Sequence, residues 1–323
     1  TKALAQDQKS DLHLLIEQMN QDILSYTYDG DTSPAIRTKV RKAGHIVLTN
    51  PDMLHSGILP HHTKWVSLFE NLKYIVVDEL HTYKGVFGSH VAHVLRRLKR
   101  ICHYYGSNPV FICTSATIAN PKELAESLTN EPHQLIDQNG APSGKKNFIF
   151  YNPPIVHPTF GVRRSAILEV RDLSKRLYNE SIQTIVFAKS RVRVEMLVTY
   201  LKELTKKKIH DESIRGYRGG YLPSERRVIE KGLREGTIRT VVSTNALELG
   251  VDIGQLQACI MTGYPGNIAS AWQQAGRAGR RQDEALIIYV AQSTALDQYI
   301  VNNPAFLLGQ SPEEARIYPD NLI

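Results

Sequence analysis

Asp78 and Glu79, with His81 two positions on, close a short apolar run, Tyr74-Ile75-Val76-Val77. Adjacent carboxylates at a strand end suit a divalent cation, one holding the ion while the other polarises a water. A solvated acidic pair at an element end is the structural alternative, and the dipeptide alone favours that plainer reading. Far downstream, Gln273-Gln274-Ala275-Gly276-Arg277-Ala278-Gly279-Arg280 sets two arginines three apart, which is one face of a helix. Guanidinium groups clamp the charge that builds on a transferring phosphoryl group. Glycines at 276 and 279 admit close backbone approach, which a plain basic helix start would not require.

Smaller polar sets end other apolar runs. Thr49 and Asn50 follow His45-Ile46-Val47-Leu48, where a hydroxyl and an amide can meet phosphate oxygens without reading bases. Asn50 also suits a helix cap ahead of Pro51, and the two roles are compatible. Val110-Phe111-Ile112-Cys113 ends in Thr114-Ser115-Ala116-Thr117, whose hydroxyls can relay hydrogen bonds. Arg218-Gly219-Gly220-Tyr221, ahead of Pro223-Ser224-Glu225, offers backbone amides and a cation, with Ser224 as a cap. Ser243-Thr244-Asn245-Ala246-Leu247-Glu248-Leu249-Gly250-Val251-Asp252 places hydroxyls and two acids in one loop-helix segment.

The elements that must hold these groups alternate along the chain. Leu12, Leu15, Ile16 and Met19 recur at helical spacing, and so do Val91, Val94, Leu95, Leu98, Ile101 and Cys102. Arg96, Arg97, Lys99 and Arg100 read as the solvated side of the second helix, and Arg37, Lys39, Arg41 and Lys42 form a short basic helix. Strands are expected at 45–48, 74–77, 110–113, 184–187, 239–244, 258–261 and 285–290, the one at 74–77 buried on both faces. Such alternation predicts an α/β fold with two parallel-sheet domains. The Gly, Pro and Lys content of 134–158 places a boundary near Asn152, with domains at 1–152 and 153–300 and with 301–323 leading into a further domain.

The chain's 323 residues allow two cores, and 42% hydrophobic with 22% charged residues is ordinary for a soluble globular protein. No apolar stretch approaches a membrane span, and the first residues do not read as a secretory signal. Cys102, Cys113 and Cys259 lack metal-site spacing and read as reduced core thiols, which predicts a cytoplasmic protein. A formal charge of +7 fits a polyanionic partner without requiring one. Trp65 and Trp272 are expected in cores, base stacking being the alternative.

Taken in order, TKALAQDQ, TNPDML, VVDELH, TSAT, IVFAKS, RGGY, STNALELGVD and QQAGRAGR resemble motifs Ia to VI of superfamily 2 helicases. ALAQDQ, TNPDML, VFAKSR and NALELGVDIG are similar to the bacterial MrfA (YprA) group of DEXH-box DNA-repair helicases. The resemblance implies two RecA-like domains with helices on both sheet faces, using ATP and Mg²⁺ and moving 3′ to 5′ on single-stranded DNA. By the same resemblance Asp78 holds the metal, Glu79 activates the hydrolytic water, and His81 couples this site to Ser115, Thr117 and Gln273. Arg277 and Arg280 become arginine fingers that also bind the nucleotide, as Gly250 does, while Asp252 contacts the ATP ribose. Thr1, Lys2, Thr49, Asn50, Arg218, Gly219, Ser243 and Thr244 grip the phosphate backbone of one strand.

One departure is plain: G-x-x-x-x-G-K-[ST] occurs nowhere in the sequence. The family carries that phosphate loop ahead of the ALAQDQ segment, and the group's zinc-binding cysteine cluster is missing too. The first domain therefore reads as truncated at its N-terminus, the chain as a core piece of a longer helicase, and the piece alone as a poor ATPase. An RNA helicase of similar core and a non-catalytic nucleic-acid-binding module are the alternatives.

Overall fold

The computed structural model describes every residue except 1, 139, 141–143, 205–211, 249–252, 255, 280–283 and 322–323. Contacts divide the chain into two compact units, Thr1–Asp137 with Glu314–Ile323, and Gln138–Glu313.

The first unit runs α1 (Lys2–Met19), β1 (Ser25–Thr27), α2 (Pro34–Ala43), β2 (Ile46–Leu48) and a short α3 (Pro51–Met53). A π turn (Leu54–Ile58) and a 3₁₀ helix (Leu59–Lys64) lead to α4 (Val66–Asn71), β3 (Tyr74–Val77), α5 (Gly85–Tyr104), β4 (Val110–Cys113) and α6 (Pro121–Thr129). Its strands pair in parallel as β1–β2 and β3–β4. The stripe read from the sequence of α5 is its buried face: Val91, Leu95, Leu98 and Cys102 pack with Leu59, Trp65, Phe69, Leu124 and Leu128. Asn50 caps α3 through its side chain, with Pro51 first in the helix, as its sequence position predicts.

Two expectations for this unit are corrected. β3 is not buried on both faces: Tyr74 and Val76 are each 62% exposed, and Val110 and Ile112 of β4 share that open face. An apolar run records preference for burial and not the presence of a covering layer; among the described residues none covers this side. The α1 stripe is likewise open, with Leu15 and Met19 more than half exposed.

In the second unit β5 (Lys146–Tyr151), the hairpin β6 (Ile155–His157) and β7 (Val162–Arg163), and α7 (Ala166–Asn179) come first. They are followed by β8 (Thr184–Phe187), α8 (Arg191–Leu204), β9 (Ile214–Tyr217), α9 (Pro223–Arg234), β10 (Thr240–Ser243) and β11 (Ala258–Thr262). The unit closes with α10 (Ile268–Ala275), β12 (Ala285–Val290), α11 (Ala295–Asn302) and α12 (Ala305–Leu308). Six strands form one parallel sheet, ordered β5-β12-β11-β8-β10-β9. Every residue of β8, β10 and β11 is buried. The pleat sends Ile185, Val241 and Cys259 to a layer containing α9 and α10, and Val186, Val242 and Ile260 to a layer containing α7 and α8. Helices therefore cover both faces, as a parallel sheet requires.

The domain boundary lies at 137/138 rather than near Asn152, because β5 pairs with β12 along six residues from Lys146 to Tyr151. The apolar run Phe148-Ile149-Phe150 carries that signal, masked by the Gly and Pro around it. The 301–323 grouping also divides. α12 packs in the second unit, whereas Asn120 bonds both backbone groups of Ala315, and Gly85 N–H donates to Arg316 O at 2.8 Å in the first.

Candidate functional site

In each unit several of the polar residues singled out above, among them Asp78, Thr49, Arg218 and Thr244, fall at the carboxyl ends of parallel strands, where open α/β sheets bind ligands. In the first unit, Asp78 follows β3 and is a hydrogen-bond hub. Its Oδ1 accepts from the Glu79 backbone N–H at 2.9 Å and from the Thr114 hydroxyl, and its Oδ2 from the Gln8 amide. Three donors on one carboxylate fix its orientation while leaving acceptor capacity. Among the described residues no cluster of three or more His, Cys, Asp or Glu is arranged for a metal. The donor set thus fits a hard cation held by one carboxylate, largely through water, and not a closed protein cage.

Glu79 adopts the left-handed region, φ 54° and ψ 46°. A non-glycine residue held there costs of order 1 kcal/mol and tends to mark a functional site. This conformation turns the chain sharply after β3, and the Leu80 N–H donates to Thr114 O at 2.8 Å across the strand ends. His81 is 8% exposed, and its Nδ1 accepts the Ala116 N–H at 3.1 Å. That acceptor role places the proton of the neutral ring on Nε2, so the 3.5 Å approach of Nδ1 to Glu79 Oε2 is not a hydrogen bond in that state. Burial, reinforced by Lys84, pushes the imidazole below its ordinary value against the pull of Asp78. Tyr83 is pushed up, first by burial and then by Asp78 and Glu79.

His81 thus meets the TSAT segment at the backbone of Ala116. Ser115 and Thr117 are exposed, and Ser115 Oγ donates to Ala116 O at 2.8 Å. Thr114 and Gln8 are the contacts that the sequence reading left out of the site. Both sit inside quoted motifs, but only the fold shows that they meet Asp78. Thr49 and Asn50 follow β2, and each already has an internal partner: Thr49 Oγ1 donates to Tyr28 O at 2.8 Å, and Asn50 Oδ1 accepts Met53 N–H at 2.8 Å. Lys2 opens α1, with its side chain outside the described residues, as are Thr1, Gly250, Asp252 and Arg280.

In the second unit, α10 stops at Ala275 with Gly276 as its cap, so Arg277 lies beyond the helix and not on a helical face. Gly279, at φ 76°, turns the chain so that its N–H reaches Leu256 O at 2.9 Å. Arg277 is anchored on the loop after β10: Nε and Nη2 both donate to Glu248 O, at 3.1 and 2.8 Å. The Glu248 carboxylate in turn accepts from buried Gln274 at 3.1 Å, tying the two segments together. Gln273 is half-buried on α10.

Ser243 is fully buried, so its hydroxyl faces no open surface; the expected strand contact is corrected because β10 is covered on both sides. Thr244 is half-buried, and its Oγ1 accepts from Ala246 N–H at 3.4 Å. Arg218 pairs with Glu195 at 2.7 Å and stacks over Tyr221 at 4.8 Å, beside Gly219. Glu195 holds Arg218 above its ordinary value and contributes to raising Tyr221 after burial. The cap of α9 is Leu222, whose N–H meets the Glu225 carboxylate at 3.1 Å, and Ser224 is inside the helix. Trp272 is core, its Nε1–H donating to Leu307 O at 3.2 Å.

Against known families, residues 1–124 match the DEAD/DEAH box helicase model and residues 168–282 the helicase conserved C-terminal domain model. Over its whole length the chain is 72% identical to the ATP-dependent helicase YprA of Bacillus subtilis. The chain belongs to the DEXH-box helicases of superfamily 2. It spans 43% of that relative's length. ATP-dependent helicase HRQ1 of Saccharomyces cerevisiae is 41% identical over 95% of the chain and 29% of the relative. A crystal structure of the helicase MrfA bound to DNA and AMPPNP superposes with a TM-score of 0.95 at 72% identity, covering 100% of this chain and 45% of MrfA. The fold is accordingly that of the RecA-like helicase cores. Among the described residues no helix is long and apolar enough to cross a membrane.

Proposed function

We propose that this chain is the motor core of a cytoplasmic DNA-repair helicase that couples ATP hydrolysis to movement along single-stranded DNA, 3′ to 5′. The observation that carries this reading is the acidic centre after β3. There, a carboxylate oriented by three donors stands next to a second carboxylate in a left-handed turn, in a chain closely related to ATP-dependent helicases.

Asp78 is the residue to hold Mg²⁺ through water, and the ion with its nucleotide supplies the phosphoryl group and screens its charge. Glu79 accepts the proton of the attacking water. Neutral His81 holds the Glu79 turn against the Ala116 backbone, the contact through which strand-end movement reaches the carboxylate. Arg277, which donates two bonds to Glu248 O, is assigned with Arg280 and Asp252 to the nucleotide on the resemblance alone. Thr49, Asn50, Arg218, Gly219 and Thr244, with Thr1 and Lys2, are assigned to the phosphates of one strand. Contacts of that kind make binding independent of sequence and sensitive to salt.

The test is ATP hydrolysis by this chain beside a polypeptide that also carries a phosphate loop, each with and without single-stranded DNA or RNA. DNA-stimulated turnover confined to the longer polypeptide supports the proposal, and Glu79→Gln should then lower it by roughly 10²–10⁴-fold. Equal turnover by both chains means the nucleotide site is elsewhere. Stimulation by RNA alone selects the RNA helicase, and silence with DNA binding retained selects the binding module.

A further inference from the structure

A second polar cavity in the first unit takes no part in the chemistry above. It encloses about 400 Å³, and its lining includes Tyr28, Arg37, Arg41, His61, Lys64 and Trp65 without any acidic side chain. Arg37 and Arg41 lie one helical turn apart on α2 and so share a face, while His61 and Lys64 come from the Leu59–Lys64 segment, which kinks at His61. Tyr28 and Trp65 are buried and meet edge to face at 4.8 Å.

The cations are not neutralised. Arg37 donates to two backbone carbonyls, Thr32 O at 2.9 Å and Asp29 O at 3.1 Å, and lies over the Tyr28 ring. None of Arg37, Arg41 and Lys64 has a carboxylate partner among the described residues. Two donors at the cavity are also idle: Arg41 Nε and Trp65 Nε1 are buried with no hydrogen-bond partner, and Trp65 is 1% exposed. Buried donors are ordinarily paired, so an idle indole N–H and guanidinium N–H beside unneutralised cations indicate a missing anionic acceptor.

We infer that this cavity is a phosphate site, and that its ligand is a backbone phosphate of a bound nucleic-acid strand. The choice of a strand over a free anion rests on the nucleic-acid reading above and on position. The carbonyl of Tyr28 accepts the Thr49 hydroxyl, and Met53, on the cavity wall, is capped by Asn50. The cavity thus backs directly onto the Thr49-Asn50 strand end.

The test measures binding of labelled oligo(dT) as a function of KCl. Arg41→Gln with Lys64→Gln should weaken binding roughly tenfold and lower the salt slope by about 0.7, one single-strand phosphate contact. Lys39→Gln with Lys42→Gln, which removes equal charge from exposed positions of the same helix, should leave the slope unchanged. Equal losses from both pairs, or none from the first, overturn the site. In the unmodified protein, the Arg41 Nε–H resonance should move with oligo(dT); movement with inorganic phosphate alone overturns the strand assignment. Failure of the unmodified protein to bind oligo(dT) at all would instead remove the nucleic-acid reading itself.

Discussion

The two units use strands of the same character in different settings. Val76 and Val77 in β3 and Ile185 and Val186 in β8 belong to equally apolar runs, yet β8 is buried throughout while Val76 is 62% exposed. Their functional ends differ as well. Asp78 is oriented by donors from three places, the backbone of Glu79, Thr114 on the neighbouring strand end, and Gln8 on α1. Arg277 donates twice to one carbonyl, Glu248 O, inside its own unit. The acidic centre thus depends on the mutual position of three elements, whereas these two bonds of the arginine run to the loop after β10. Hydrogen bonds from neighbouring elements are what fix the strand-end carboxylate.

Stability measurements test the first half of this contrast most strongly. Ile185→Ala should destabilise the second unit by about 2–5 kcal/mol in urea unfolding, the cost of a cavity in a covered core. Val76→Ser should change the first unit by less than about 0.5 kcal/mol, as an exposed substitution does. A large loss at Val76 would show that its face is covered. The second half is sharpened by Thr114→Val, which removes one donor from Asp78 and keeps the side chain's shape. In the polypeptide with a phosphate loop it should raise the Mg²⁺ requirement roughly tenfold or more, as loss of a ligand's supporting hydrogen bond does.

The smallest effect concerns His81. Its folded value is depressed below the ordinary 6.5, so the unfolded chain binds the extra proton in the window between the two. The stability it contributes is therefore complete above 6.5 and is lost as pH falls through that window. Unfolding midpoints between pH 7 and about 5.5 should fall less steeply in His81→Asn than in the unmodified protein. A parallel fall in both would show that His81 is not held neutral.

Much of this was legible in the residues. The apolar runs at 74–77, 110–113, 184–187 and 240–243 are strands, and the α5 stripe faces a core, because period and side-chain type act locally. The motifs for phosphoryl chemistry and their order needed no coordinates. β5 is hidden because Gly and Pro around it outweigh a short apolar run, and the end of α10 at Ala275 is hidden because the spacing of the two arginines continues a helical period past Gly276.

The sequence by itself determined the alternation of strand and helix, the helicase motifs and the carboxylates at the end of β3. Only the tertiary structure decided which donors meet Asp78, that Ser243 is buried, that Arg218 is paired with Glu195, and that Arg37, Arg41 and Trp65 converge on one cavity. The reason is physical. Propensity and period are set by neighbours in the chain, whereas hydrogen-bond partners, burial and unneutralised charge depend on elements that folding alone brings together.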